Sequence, residues 1–116
     1  MIRLITMLKR KAGLTHQEFL DHWINVHGPL IANGSAAQYV MRYEQHPTSW
    51  PPEGSAKPEP EWDGVTIQVF ESVRSFWAHT AEADFVAIQE DIERFLDTSR
   101  LEWTLVEEPT LVIDRI

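Results

Sequence analysis

Residues 22–30 read HWINVHGPL, and this stretch holds the side chains best suited to proton chemistry near neutral pH. An imidazole can accept or donate a proton there, offer a bare ring nitrogen to a metal, or sit as a favourable cation at a helix C-terminus. Spacing separates these options. On a helix turning about 100° per residue, His22 and His27 stand about 140° apart. They then do not share the face that the i, i+4 spacing of a helical metal site requires. His27 falls within the apolar arc of Phe19, Leu20, Trp23, Ile24 and Val26, opposite Glu18, Asp21 and Asn25, while His22 rides its flank. His27 therefore reads in two ways. It is either a helix-end imidazole at an amphipathic boundary, or a neutral imidazole at the mouth of a helix–sheet cleft that can move a proton or bind a ligand.

Other candidates are weaker. Tyr39 and Tyr43 share a face in AQYVMRYEQ; a phenol is a poor base but a good hydrogen-bond donor. His46 closes the same segment, beside a proline-rich stretch. Glu71 and Asp97, each at the end of an element, could orient a histidine. His16 and His79 lie near helix ends and carry no pattern. GxSxG, P-loop, GxGxxG, HExxH and EF-hand signatures are all missing, which leaves the motif-defined hydrolases, nucleotidases and zinc proteases without support.

The elements that would position these residues follow from periodicity. IRLITML (2–8) reads as a buried strand. Thr15 and Glu18 stand at capping-box spacing and open a helix that runs to His27, where Gly28 is placed as a left-handed C′ residue and Pro29 blocks continuation. AQYVMRYEQ gives a second strand. Residues 47–63 contain five of the seven prolines and predict a long irregular segment, a partly ordered flap carrying Trp50 and Trp62. GVTIQVFES is a third strand and SVRSFWAHT a turn or short helix. EADFVAIQEDIERFLD is an amphipathic helix with Phe85, Ile88, Ile92 and Phe95 on one stripe. LEWTLVEEPTLVIDRI is a final strand interrupted at Pro109. The order is β-α-β twice, the ferredoxin-like α+β plan: a four-stranded antiparallel sheet with two helices on one face. The other face stays bare, and a bare apolar face on a chain this size predicts a homodimer.

Composition narrows the classes of function. The 116 residues form one domain, 1–116, with 43% hydrophobic content and a formal charge of −8. With no basic run, nucleic acid and anionic membrane are not expected partners. There is no cysteine, hence no thiolate nucleophile or disulfide framework. The opening MIRLITMLKRKAGL places its bases after the short apolar run, the reverse of signal-peptide order, so the expected compartment is the cytoplasm.

GLTHQEFLDHWINVHGPL resembles the opening signature of the EthD family. The resemblance continues in RYEQH (42–46), DGVTIQVFES (63–72) and ERFLD (93–97) with the TLVEEPTLVI tail, nearly the whole chain. It implies a dimeric α+β barrel, in which the bare sheet face packs on a partner's. It also links the chain to ethyl tert-butyl ether degradation beside an oxygenase system, and to a superfamily of isomerases, cyclases, oxidoreductases such as cofactor-free monooxygenases, and haem enzymes. His22, Trp23, His27, Gly28 and Pro29 match the helix signature; Tyr43 and His46 match the strand segment approximately, with Tyr39 an alternative because the linker differs in length. Two functional expectations follow. One is a cofactor-free enzyme acting on a small apolar organic molecule, with His27 as acid/base, Tyr43 binding a carbonyl or enolate oxygen, and Trp23, His22, Tyr39 and His46 contacting substrate. The other is a non-catalytic small-molecule binder accessory to an oxygenase. Haem ligation by His27 is a distant third.

Overall fold

The computed structural model describes residues 1–116. Strand β1 (Ile2–Leu8) is followed by α1 (His16–His22), a π-helical turn (Trp23–His27) and α2 (Gly28–Ala32). Then come β2 (Val40–Pro47), β3 (Gly64–Phe70), α3 (Val73–Ala81), α4 (Phe85–Phe95) and β4 (Glu102–Val106). The four strands form one antiparallel sheet in the order β2-β3-β1-β4, as the ferredoxin-like plan requires. No helix is long and apolar enough to cross a membrane.

Alternation sorts the strand residues into two faces. Leu4, Thr6 and Leu8 of β1 stand opposite Gln68, Thr66 and Gly64 of β3, and Tyr43 of β2 pairs with Gln68. These residues face the helices. Ile5, Met7, Val65, Ile67 and Val69 lie on the other face, which no helix covers. Beneath the helices the core divides into three clusters: Leu8, Phe19, Trp23, Phe95 and Leu96; Leu4, Phe70 and Phe76; and Ile31, Ala36 and Ile88.

The first helix departs from the sequence expectation. Its start is as predicted, with Thr15 and Glu18 forming a reciprocal capping box. Its end is not. Gly28 has φ −55°, a right-handed conformation, and the helix runs on to Ala32. The cause lies in the turn before Pro29. A proline ring clashes with the carbonyl four residues back in an unbroken α-helix. Here the ladder widens to i→i+5, with the Gly28 N–H donating to the Trp23 carbonyl, and the wider turn accommodates Pro29.

Two smaller corrections concern strand boundaries, and the proline-rich segment is irregular as expected. Residues Ser35–Tyr39 form a 3₁₀ turn, so β2 begins at Val40, with a register shift between Val40 and Arg42. Residues 48–63 have no strand or helix, but they are docked rather than loose. The Trp50 ring stacks on His16 at 3.6 Å and lies under the Arg10 guanidinium, and Trp62 lies under that of Arg100. The flap is a clasp on the molecule's end. Beyond Val106 the chain is exposed and irregular, so the second half of the expected last strand does not form.

Candidate active site

The π-turn does more than absorb Pro29. It brings residues five apart nearly into line along the helix, so His22 and His27 meet at one carboxylate. Asp91, on α4 and only 2% exposed, receives His27 Nδ1 at 2.8 Å on one oxygen and His22 Nε2 at 2.9 Å on the other. The separation of the two imidazoles expected from regular helical spacing is thus overturned. Arg94, one turn along α4, sits 3.4 Å from the same carboxylate.

Protonation states follow from this geometry. Burial alone would push the Asp91 carboxyl up, but the hydrogen bonds and charge of His27 and His22 override it and hold it below its ordinary range. Burial pushes the His27 imidazole down, more than the carboxylate raises it. A neutral His27 therefore faces an ionised Asp91. A carboxylate can only accept, so the ring's one proton sits on Nδ1 and Nε2 carries a bare lone pair. That Nε2 has no hydrogen bond within the protein.

Beside His27 lies a cavity of about 290 Å³ between the helices and the sheet. Its walls are mostly apolar, among them Leu4, Ile31, Phe76, Ile88 and Ile92, and a few polar groups converge on it: His27, Tyr43, Thr66, Gln68 and His79. At this volume it lies near the lower end of small-molecule sites, about 300–1,000 Å³. Trp77 and Trp103, both about half exposed, also line it and mark its mouth.

Tyr43 settles which tyrosine faces the cleft. Burial raises its pKa, so the phenol stays protonated, and its oxygen accepts from Gln45 Nε2 at 3.3 Å. Its own O–H is left to donate. Trp23, fully buried, lies so close to β3 that a Cβ at Gly64 would come within 2.7 Å of its ring. The Trp23 indole N–H is directed at the Tyr43 phenol oxygen, and the Gln68 side-chain carbonyl is buried without a partner.

The structure does not bring every candidate here. Tyr39, turned out by the 3₁₀ segment, donates to Glu82 at 3.1 Å. His46, half exposed, pairs with Glu44 on the sheet's uncovered face. His22 touches Asp91 from the outer side and lies outside the cavity lining. Neither Glu71 nor Asp97 orients a histidine; Asp97 caps the 3₁₀ turn at Ser99. Asp91 itself escaped sequence reading, although a signal was present: it is an acid at i+3 from Ile88 and i−4 from Phe95, inside the apolar stripe of α4.

The EthD domain model matches residues 11–99. The chain belongs to the EthD family. Among solved structures, an ethyl tert-butyl ether D (EthD) family protein from Bacillus halodurans C-125 superposes with a TM-score of 0.70 at 18% identity, covering 94% of this chain and 99% of that one. An EthD-like protein from Ralstonia eutropha JMP134 gives 0.68 at 16% identity over 98% and 94%. A dimeric ferredoxin-like protein of unknown function from Thermobifida fusca YX gives 0.64 at 15% identity over 90% and 88%. At these identities the likeness extends to the fold alone. No curated protein matches the chain.

Proposed function

We propose that this EthD-family protein is a cofactor-free acid–base enzyme acting on a small, mostly apolar carbonyl compound. The observation that carries the reading is the buried Asp91–His27 pair, which leaves a bare imidazole nitrogen beside an apolar cavity. In the reaction His27 Nε2 takes a proton from the carbon next to the carbonyl. The C–H electron pair becomes the enolate double bond, and the carbonyl pair moves to oxygen. Tyr43 O–H donates to that oxygen, and Asp91 stabilises the imidazolium. From a β,γ-unsaturated carbonyl the enolate is a dienolate, and return of the proton from His27 to its γ-carbon moves the double bond; alternatively the enolate carbon attacks an internal carbonyl to close a ring, and His27 passes its proton to the new alkoxide.

The exchange of α-protons tests the first step without a known substrate. In D2O, the protein should accelerate deuterium incorporation into apolar ketones such as 4-phenylbutan-2-one, followed by proton NMR. His27→Ala should lose that acceleration by about 10² to 10⁴-fold. A panel of such ketones exchanging no faster with wild type than with His27→Ala contradicts the reading. Tight binding with no exchange favours instead an accessory binding protein for an oxygenase, the role that a link to ether degradation would imply.

The same proposal makes the protein a cytoplasmic homodimer that buries the uncovered sheet face through Ile5, Met7, Val65 and Ile67. Support comes from the partial exposure of those apolar residues and from the dimeric relative. A solution mass equal to one chain contradicts it.

A further inference from the structure

A second imidazole lines the cavity far from the first. His79, on α3 and 5% exposed, has Nδ1 at 2.8 Å from the Ala36 carbonyl. A carbonyl can only accept, so Nδ1 carries a proton; in the tautomer this fixes, Nε2 is the acceptor, and it has no partner in the protein. The support behind this bond is firm. Ala36 is fully buried, and its N–H donates to Asp84, which also holds Ser35. The His79 ring is packed between Phe70 and Phe85, at 5.3 and 5.4 Å.

Those neighbours fix its place. His27 packs on Phe95, at the other end of α4 from Phe85. Ten residues at about 1.5 Å each separate the two phenylalanines by about 15 Å. In the sheet, Trp23 rests against Gly64 at the start of β3, while Phe70 ends that strand. The cavity thus has two polar poles along one axis. At one are a base and an O–H donor, His27 and Tyr43; at the other is an acceptor backed by a neutral carbonyl. Gln68, paired with Tyr43 on the floor, lies between them.

We propose that His79 is a specificity residue that receives a hydroxyl or N–H at the far end of the ligand. The ligand class is then an elongated apolar carbonyl compound with the carbonyl at the His27 end and a hydrogen-bond donor at the other. This inference rests on the reading of the cavity as a ligand site. It goes beyond that reading by naming a second functional group on the ligand and the side chain that selects it.

Four probes of one shape separate the possibilities: 4-phenylbutan-2-one and its para-hydroxy, para-amino and para-methoxy derivatives, titrated by calorimetry. The hydroxy or amino probe, or both, should bind wild type about tenfold tighter than the unsubstituted ketone, and the methoxy probe should gain nothing. Which of the two gains more identifies the donor. His79→Asn keeps an N–H for the Ala36 carbonyl but draws its acceptor, the amide oxygen, back from the Nε2 position toward the backbone, out of reach of the ligand's far end; it should erase the preference and leave the unsubstituted ketone's affinity within about twofold. His27→Ala should retain the preference. In wild type, the Nε2 nitrogen resonance of His79 should shift with the preferred probe and stay put with the unsubstituted one, a readout independent of any variant's folding. A preference that survives in His79→Asn, or is missing from wild type, overturns the inference and leaves the cavity reading standing. Failure of all four probes to bind overturns both.

Discussion

The molecule contains two buried carboxylates that each accept a histidine Nδ1 at 2.8 Å, Asp91 with His27 and Asp63 with His16. Their surroundings differ completely. Asp63, fully buried, also takes the Arg10 backbone N–H at 2.9 Å and its guanidinium at 2.8 Å, with Lys9 at 3.9 Å. Burial pushes its carboxyl up, but these bonds win and hold it below its ordinary range. Trp50 covers the face of His16. That cluster ties the end of β1, the start of α1 and the proline-rich segment together. Asp91 has no comparable full cation, only the exposed Arg94 at longer range, and its His27 opens on a cavity. The same carboxylate–imidazole contact is an anchor where cations saturate the carboxylate and, in the proposed reaction, a proton-transfer pair where the imidazole opens on an apolar cavity.

The largest expected effects break this contrast from each side. His27→Ala should cost about 10² to 10⁴ in α-proton exchange, whereas His16→Ala should leave the rate per folded molecule unchanged. Asp63→Asn should do the reverse, lowering stability by about 3 kcal/mol in denaturant titration, because Arg10 loses its buried counter-charge, while folded protein keeps its exchange rate. Loss of exchange in Asp63→Asn at full folding would erase the distinction. Next in size is Gly64→Ala, whose Cβ would press on Trp23; a loss of about 1–3 kcal/mol is expected from overpacking.

The smallest effects lie in the pH dependence. The folded pKa of His27 lies below its ordinary 6.5, so the neutral ring contributes stability that is complete above 6.5. That contribution is lost as pH falls through the folded value. Asp91 and Asp63, both held below 3.8, add a second loss as pH falls further. His27→Gln should remove the first phase and keep the second. Asp91→Asn removes the group that raises the His27 pKa, so the acid limb of exchange should move to lower pH.

Much of this arrangement was legible in the residues. The alternation of β1 and β3, the apolar stripe of α4 and the capping box at Thr15 are strong local signals, and topology then left one sheet face bare. Apolar periodicity turns His27 toward the sheet, but strand alternation puts Tyr39 and Tyr43 on one face and leaves the choice between them to the packed structure. The helix end was misread because Gly-Pro carries the same signature whether a chain stops or widens its helix ahead of the proline; only the packed structure chooses. That one local choice hid the convergence of His22 and His27, since an angle computed at α-helical spacing fails across a π-turn. Asp91 and Asp63 are remote in sequence from the histidines they hold, and no local pattern links them. Tyr39 lies in the 3₁₀ turn Ser35–Tyr39 ahead of β2, so strand alternation does not describe it.

The central claim concerns where one proton sits, and nitrogen-15 NMR of the histidine side chains reads it directly. At pH 7 the account predicts a neutral His27 with its proton on Nδ1, in hydrogen-bonded contact with Asp91, and a bare Nε2 whose resonance moves when a ketone fills the cavity. A charged His27 at that pH, or one carrying its proton on Nε2, would contradict it.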